Sequence, residues 1–495
     1  MLSRKRLWAL GLSVLLLVSA LAGCGEQTPE SSTPVPDTSS STTTTTETEG
    51  TDMTTTQPTT SQTGTGSTAD PTTPAKPTNQ TSATEKPTGN STTSTTAKLT
   101  TTTTAGKKGY LSKSDTTVEP VRTLSEVKAK LSDADLACDK YDIKKYLTPY
   151  WEGNIIYNES LTFCQDKNGR AEAPLLYDAA EILSVKSSDL KTTYKEGVDY
   201  ILEDGKLVLT ANSSIPCFKY SDLYFTQEKA GCSWALKKGG YTLFYEGTYF
   251  HQRQVAVTYI HTQPWKGYKP AYQGEMLPQI TAKLEKGENV TIVYLGDSIV
   301  KGGNASGLFG AAPNMPIWTD MVTAALKAAY PKAKISTYSA SENGATTVQA
   351  IKNLRQLCSN YKPDLVIIGF GMNDGSDSNI TPDRFQANIQ SIMETNDLLT
   401  RKSCDYLLLS TTLPNQDVKL GTANTQDQHA AKLFELEKQG TATTGGVVVG
   451  DMTAIHSYLL KSKRFIDMTA NNINHPNDFL VRAYAQLVTT MLIED

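Results

Sequence analysis

Histidine is scarce in this chain, with five in 495 residues. Few side chains can therefore exchange a proton near neutral pH, and each can be weighed singly. None of the seven cysteines forms a pair at zinc-ligand spacing with histidines nearby, so no zinc site is expected. No apolar run after the first two dozen residues is long enough to span a bilayer. The charge is nearly balanced, 47 Lys and Arg against 51 Asp and Glu. With no basic stripe and no aromatic platform, nucleic acid is not an expected partner. Large apolar residues are almost missing from residues 28–104, where Thr, Ser and Pro dominate. Such a segment cannot bury enough surface to offset its chain entropy and is expected to be disordered.

The amino end has the order of an export signal. Ser3-Arg4-Lys5-Arg6 is basic, residues 7–18 are apolar but short for a membrane span, and Leu21-Ala22-Gly23-Cys24 follows. This resembles the lipobox of bacterial lipoproteins, in which the cysteine becomes the lipidated first residue. The resemblance implies a signal peptide over 1–23, lipidation at Cys24, and a protein held outside the cell membrane by its lipid. Residues 24–108 then read as a Thr/Ser/Pro-rich linker, a spacer with a coil dimension of roughly 50 Å. Segments of this composition are often O-glycosylated. The remaining length fits two domains, over 135–265 and 288–495. The cysteines beyond Cys24 are Cys138, Cys164, Cys217, Cys232, Cys358 and Cys404. Outside the cytoplasm these read equally as disulfide partners and as free buried thiols.

Short apolar stretches at residues 161–163, 182–185, 200–202, 207–209, 241–245 and 255–259 alternate with polar turns such as Glu203-Asp204-Gly205. That pattern predicts a small β-sandwich. Its many tyrosines either pack the sandwich with their hydroxyls at the rim or line a sugar-binding face.

Beyond residue 288 the pattern changes. Strand-like runs at 290–295, 334–339, 364–370, 405–411 and 446–452 alternate with helical stretches at 318–330, 346–358, 383–399, 424–438 and 479–492. Such alternation implies a parallel sheet with helices on both faces, whose strand tips share one functional edge. Ser298 closes the first run in Gly296-Asp297-Ser298. On its own that tripeptide is equally a capped turn. The next tips carry Asn343-Gly344-Ala345 and Gly371-Met372-Asn373-Asp374, and His475-Pro476 leads into the last helix.

Gly296-Asp297-Ser298, Gly344, Gly371-x-Asn373-Asp374 and His475-Pro476 resemble the successive blocks of the SGNH/GDSL hydrolases. The resemblance covers residues 289–495. It implies an α/β, flavodoxin-like, doubly wound parallel sheet, here preceded by the small β-sandwich and the tether. The two-domain layout is similar to that of the family 2 carbohydrate esterases.

A serine hydroxyl needs a base before it attacks. His475 is the best placed of the five histidines, because Pro476 holds it extended ahead of the helix. His429 lies in a helix of mixed polarity and is expected to face solvent. His456 follows the fifth strand and is expected near the site edge. His251 and His261 belong to the front region. The N–H groups of Ser298 and Gly344 and the amide of Asn373 are the expected oxyanion donors. Asp297 is expected to hold its own loop through backbone hydrogen bonds.

Family members commonly carry aspartate three residues before the histidine. Asn472 stands there in this chain. One expectation is a Ser298–His475 dyad, the ring oriented by a backbone carbonyl or by Asn472. The other is that Asp467 or Asp478 reaches the ring.

These readings imply a surface-anchored, monomeric serine esterase that removes small acyl groups, acetyl first among them, from polysaccharide without metal or organic cofactor. The alternatives are a glycan-binding surface protein with a weakly active hydrolase domain, and an enzyme of lipase or thioesterase type.

Overall fold

Five parallel strands organise the carboxyl half of the structure, a computed structural model that describes residues 114–117, 120–440 and 445–494. They are β1 (Asn289–Gly296), β2 (Lys334–Ser341), β3 (Leu365–Gly369), β4 (Asp405–Leu409) and β5 (Val447–Gly450). Their order is β2-β1-β3-β4-β5 and every pairing is parallel. Strands β4 and β5 are buried throughout and β1 almost so, as both-face coverage by helices requires. The signal segment, Cys24 and the tether expected over 24–108 lie outside the described residues.

The helices are α1 (Trp318–Ala329), α2 (Thr347–Leu357), α3 (Pro382–Thr400), α4 (Gln426–Gln439), α5 (Met452–Leu459) and α6 (Asp478–Leu492). Two elements differ from expectation. Helix α5, where no helix was expected, buries Met452, Ile455 and Leu459 at helical spacing and is started by Asp451, whose carboxylate accepts the N–H of Ala454 at 2.9 Å. The connection between the two expected domains, residues 266–287, contains a helix over Pro278–Lys286, opened by its proline and closed by Gly287 at φ 72°.

Five of the six apolar stretches of the front region lie wholly in strands, and the sixth does so over 241–243. The largest sheet has five strands in the order Thr193–Tyr194, Glu181–Ser187, Gln254–Ile260, Ile155–Cys164, Cys217–Phe218. Two three-stranded sheets accompany it, one of which contains Tyr241–Leu243 between Tyr224–Phe225 and Ser233–Ala235.

Front and back share one apolar cluster, running from Tyr146, Tyr150 and Trp151 through Trp318 and Met321 to Leu487. Helix α6 lies between them, so both of its faces are buried. On one side Tyr484 stacks on Trp318, and on the other Phe479 stacks on Tyr150 with ring centroids 4.3 Å apart. The contact is also polar. Arg482 is buried and donates to the carbonyls of Tyr157 at 2.7 Å and Asn158 at 3.1 Å. Lys463 and Glu159, both with fully buried side chains, pair at 2.5 Å.

All six cysteines beyond Cys24 are free thiols. Among the described residues no helix is long and apolar enough to cross a membrane, and no group of three His, Cys, Asp or Glu side chains is placed to hold a metal ion.

Candidate active site

Ser298 stands two residues beyond the end of β1, the strand flanked by β2 and β3. Gly296 makes the turn feasible. A Cβ there would sit 2.2 Å from Val300 Cγ2 and 2.4 Å from the Gly369 carbonyl oxygen, so only glycine lets the Ser298 loop close onto β3. Asp297 accepts the N–H of Ile299 at 2.9 Å, the loop-holding contact expected of it. Its second carboxylate oxygen is buried with no hydrogen-bond partner among the described residues. Burial pushes its pKa up to about 7, nearby Asp374 adds to the rise, and the Ile299 N–H and His475 oppose it.

His475 Nε2 lies 2.9 Å from Ser298 Oγ. The loop that delivers the ring is organised by Asn471, which is fully buried. One oxygen of Asn471, Oδ1, accepts the N–H groups of Ile473, Asn474 and His475 at 2.9–3.0 Å. The Ser298 loop packs directly on this one, since Asn304 N–H donates to the Pro476 carbonyl at 3.1 Å. On its other nitrogen, Nδ1, the ring faces Asn304 Oδ1 at 2.9 Å and Glu246 Oε2 at 3.1 Å. Both partners accept, so Nδ1 carries the proton and Nε2 is free to accept from Ser298.

Asn472 does not orient the ring. It adopts a left-handed φ of 67°, and its amide turns away to donate to Thr242 Oγ1 and to the Leu243 carbonyl, each at 2.9 Å. Neither expected acid reaches the ring. Asp467 pairs with Arg464 at 2.7 Å and accepts the Thr162 N–H, while Asp478 accepts the Ser306 N–H at 2.7 Å. The carboxylate on Nδ1 belongs instead to Glu246, in the loop after strand Tyr241–Leu243 of the front region. Asn304 and Asn471 donate to its two oxygens at 3.0 and 2.9 Å. Partial burial raises the Glu246 pKa, but the bond to His475, its charge and the two amide donors outweigh that and hold it below the usual carboxylate value. Nothing short-range in the sequence marks Glu246, which is 229 residues from His475.

The remaining tips fall on the same edge. In the strand register Gly296 aligns with Ser341 and with Gly369. Gly344 and Asn373 therefore follow their strands by three and four residues beside Ser298. Gly344 takes φ 72° in an exposed tight turn. Asn373 donates one amide hydrogen to the Ala345 carbonyl at 2.9 Å, which sets its side chain next to that turn and leaves the second hydrogen available. The adjacent Asp374 is buried and anchors the start of α2 through Thr347, its pKa pushed up to about 6 by burial.

The other histidines are engaged elsewhere. His429, expected to face solvent, is buried and stacks on Phe385 at 4.4 Å. Burial lowers its pKa to about 4. His456 lies inside α5 with its ring buried, accepts the N–H of Leu413 beyond the tip of β4 at 3.0 Å, and is lowered to about 3 by burial. His261 stacks on Tyr177 and His251 meets the Ala312 carbonyl. A hydroxyl, an imidazole with a fixed tautomer, and nearby amide donors are the set that acyl transfer requires.

No curated protein matches the chain in sequence. Residues 292–396 match the family described as GDSL-like Lipase/Acylhydrolase. Among solved structures, the acetylxylan esterase Axe2 from Geobacillus stearothermophilus is 19% identical, over 40% of this chain and 92% of its own, at a TM-score of 0.32. A two-domain esterase (CEX) active on acetylated mannans, co-crystallised with mannopentaose, is 21% identical over 44% of this chain and 53% of its own, at a TM-score of 0.34. Residues 292–396, which hold Ser298, Gly344 and Asn373, are thus a GDSL-like lipase/acylhydrolase region, and the chain is a carboxylic ester hydrolase.

Proposed function

We propose that this hydrolase is a serine esterase that removes small acyl groups, acetyl first among them, from polysaccharide. Ser298 Oγ attacks the ester carbonyl as His475 Nε2 takes its proton. The N–H groups of Ser298 and Gly344 and the amide of Asn373 hold the oxyanion. His475 then protonates the departing sugar hydroxyl and activates the water that releases the acyl group. The observation that carries this reading is the 2.9 Å contact between Ser298 Oγ and His475 Nε2, with the opposite ring nitrogen bonded.

A polar surround supports a small acyl group on a polar carrier. Asn304 and Glu246 bond the ring of His475, and Asn471 bonds Glu246. Phe309, 44% exposed and 3.9 Å from where a Cβ on Gly247 would lie, offers beside Glu246 a surface of the kind on which sugar rings rest. The export signal, Cys24 and the spacer support a lipid-anchored enzyme acting outside the cell on polymer near its surface.

The test is acetate release from p-nitrophenyl acetate, acetylated xylan and acetylated mannan. Ser298→Ala and His475→Ala are each expected to abolish it. Activity surviving Ser298→Ala overturns the nucleophile. Turnover of the nitrophenyl ester alone overturns the polysaccharide.

A further inference from the structure

We propose that Glu246, supplied by the front β-region, is the charge partner of His475, and that Asn304 fixes the ring's tautomer beside it. The proposal rests on the serine esterase reading and deepens it. In a serine hydrolase triad one acid both selects the imidazole tautomer and stabilises the imidazolium. Here the two tasks fall to two side chains.

Asn304 holds the tautomer. Its Nδ2 donates to Glu246 Oε2 at 3.0 Å, so its Oδ1 is the atom turned toward His475 Nδ1. The reverse amide orientation would set oxygen against carboxylate and NH2 against N–H. Asn304 is neutral and leaves the imidazolium uncompensated. Glu246 supplies the missing charge at 3.1 Å from the same nitrogen. Both of its oxygens are held, Oε2 by Asn304 and Oε1 by Asn471, which also shapes the His475 loop. Three hydrogen-bond donors converge on this carboxylate, so the site favours the ionised form. The proton from Ser298 passes to Nε2, and the proton already on Nδ1 stays there. Glu246 remains a carboxylate throughout and acts on the reaction only through the ring, as a positioning residue.

Asn472, in the place where the family commonly has its acid, now has a use. Its amide grips Thr242 and the Leu243 carbonyl, at the end of the strand that leads into Glu246. The carboxylate thus arrives from outside the residues that match the family, and the front region completes the site.

The Glu246 side chain is 42% exposed, so solvent screens its charge, and in Glu246→Gln the Asn304 amide keeps its orientation, because its Nδ2 still faces the Gly247 carbonyl at 3.5 Å and a glutamine oxygen can replace Oε2. The expected loss in Glu246→Gln is therefore about 10–100-fold in kcat with KM little changed, well short of the roughly ten-thousand-fold loss when a triad acid sets the tautomer too. The charged or titratable groups facing His475 are Glu246 and buried Asp297. Asp297 is present in both proteins, so a difference in pH profile reports Glu246. Loss of the carboxylate withdraws support for the imidazolium, and the acid limb of kcat/KM moves to lower pH.

The experiment compares wild type, Glu246→Gln, Glu246→Ala and Ser298→Ala in the full chain, on p-nitrophenyl acetate across pH 5–9, with thermal unfolding as the folding control. The expected result is the stated kcat loss and lower acid limb in Glu246→Gln, and partial recovery of Glu246→Ala by added formate. A Glu246→Gln kcat within about twofold of wild type, or a loss with an unmoved acid limb and no formate rescue, overturns the role of Glu246. Neither result touches the serine esterase reading, which falls only if Ser298→Ala stays active.

Discussion

Asn472 donates its side-chain amide to the Leu243 carbonyl at 2.9 Å, joining the His475 loop to the segment that carries Glu246. The residue is 4% exposed, so its removal leaves a buried carbonyl and a buried hydroxyl unsatisfied. Asn472→Ala is expected to lower stability by about 1–3 kcal/mol and to lower kcat about 5–20-fold by loosening Glu246. Because it acts through Glu246, its effect on kcat should largely vanish in a Glu246→Gln background. A double-mutant cycle on p-nitrophenyl acetate turnover checks this. Fully additive losses would separate the two residues.

Asn373 has one amide hydrogen on the Ala345 carbonyl and the other without an acceptor among the described residues. A donor aimed at a developing oxyanion commonly contributes a hundred- to a thousand-fold to kcat. Asn373→Ala should lose about that much, with KM little changed and a stability cost near 1 kcal/mol for the lost bond. Steady-state kinetics and urea unfolding on the same sample separate the two effects. Asn373→Asp should be worse still, since a carboxylate repels the oxyanion.

The parts of the site that stand on regular elements were legible in the sequence. Alternating apolar runs and helical stretches located the sheet edge, and Ser298, Gly344 and Asn373 follow strand ends there. His475 was legible because Pro476 and the Asn477 cap fix where its helix begins. The carboxylate was not. Glu246 lies in a loop after a strand of three residues, and only tertiary contact brings it to the ring. Asn472 misled for the opposite reason. Its position in the chain suggested nearness to the ring, while its left-handed backbone points the side chain away. His429 misled through the polar composition of α4, whose one buried stripe packs it on Phe385.

Lys463 and Glu159 test how firmly front and back are joined. Glu159 also accepts the Leu176 N–H at 2.9 Å and the Tyr259 hydroxyl at 2.7 Å, so its charge is held in a network with no solvent. Removing one partner of such a pair costs about 3–5 kcal/mol, while replacing both with matched neutral groups costs much less. Lys463→Met should fall in that range by urea unfolding, and Lys463→Met with Glu159→Gln should recover much of the loss. Activity should follow stability, because the front region that carries Glu246 is held by this contact. A double variant no better than the single one would show that the pair is not coupled.

Asp297 makes a prediction about pH with a definite sign. Its pKa is raised from 3.8 to about 7 in the folded chain, mainly by burial. Between those values the folded protein holds a proton that the unfolded chain has released. The stability this group contributes is therefore fully present below about pH 4 and is lost as pH rises through about 7. Asp297→Asn keeps the Oδ1 that accepts the Ile299 N–H and removes the titration. The unfolding free energy of wild type minus that of the variant should decline across this window, by up to ~4 kcal/mol for a shift of this size. Asp374, raised to about 6, titrates in both proteins and largely cancels in the difference. Urea unfolding of the two proteins at pH 4.5, 6 and 8 measures the trend. A difference that stays constant with pH would mean that Asp297 is ionised in the fold at all three values, its unpartnered oxygen solvated by buried water.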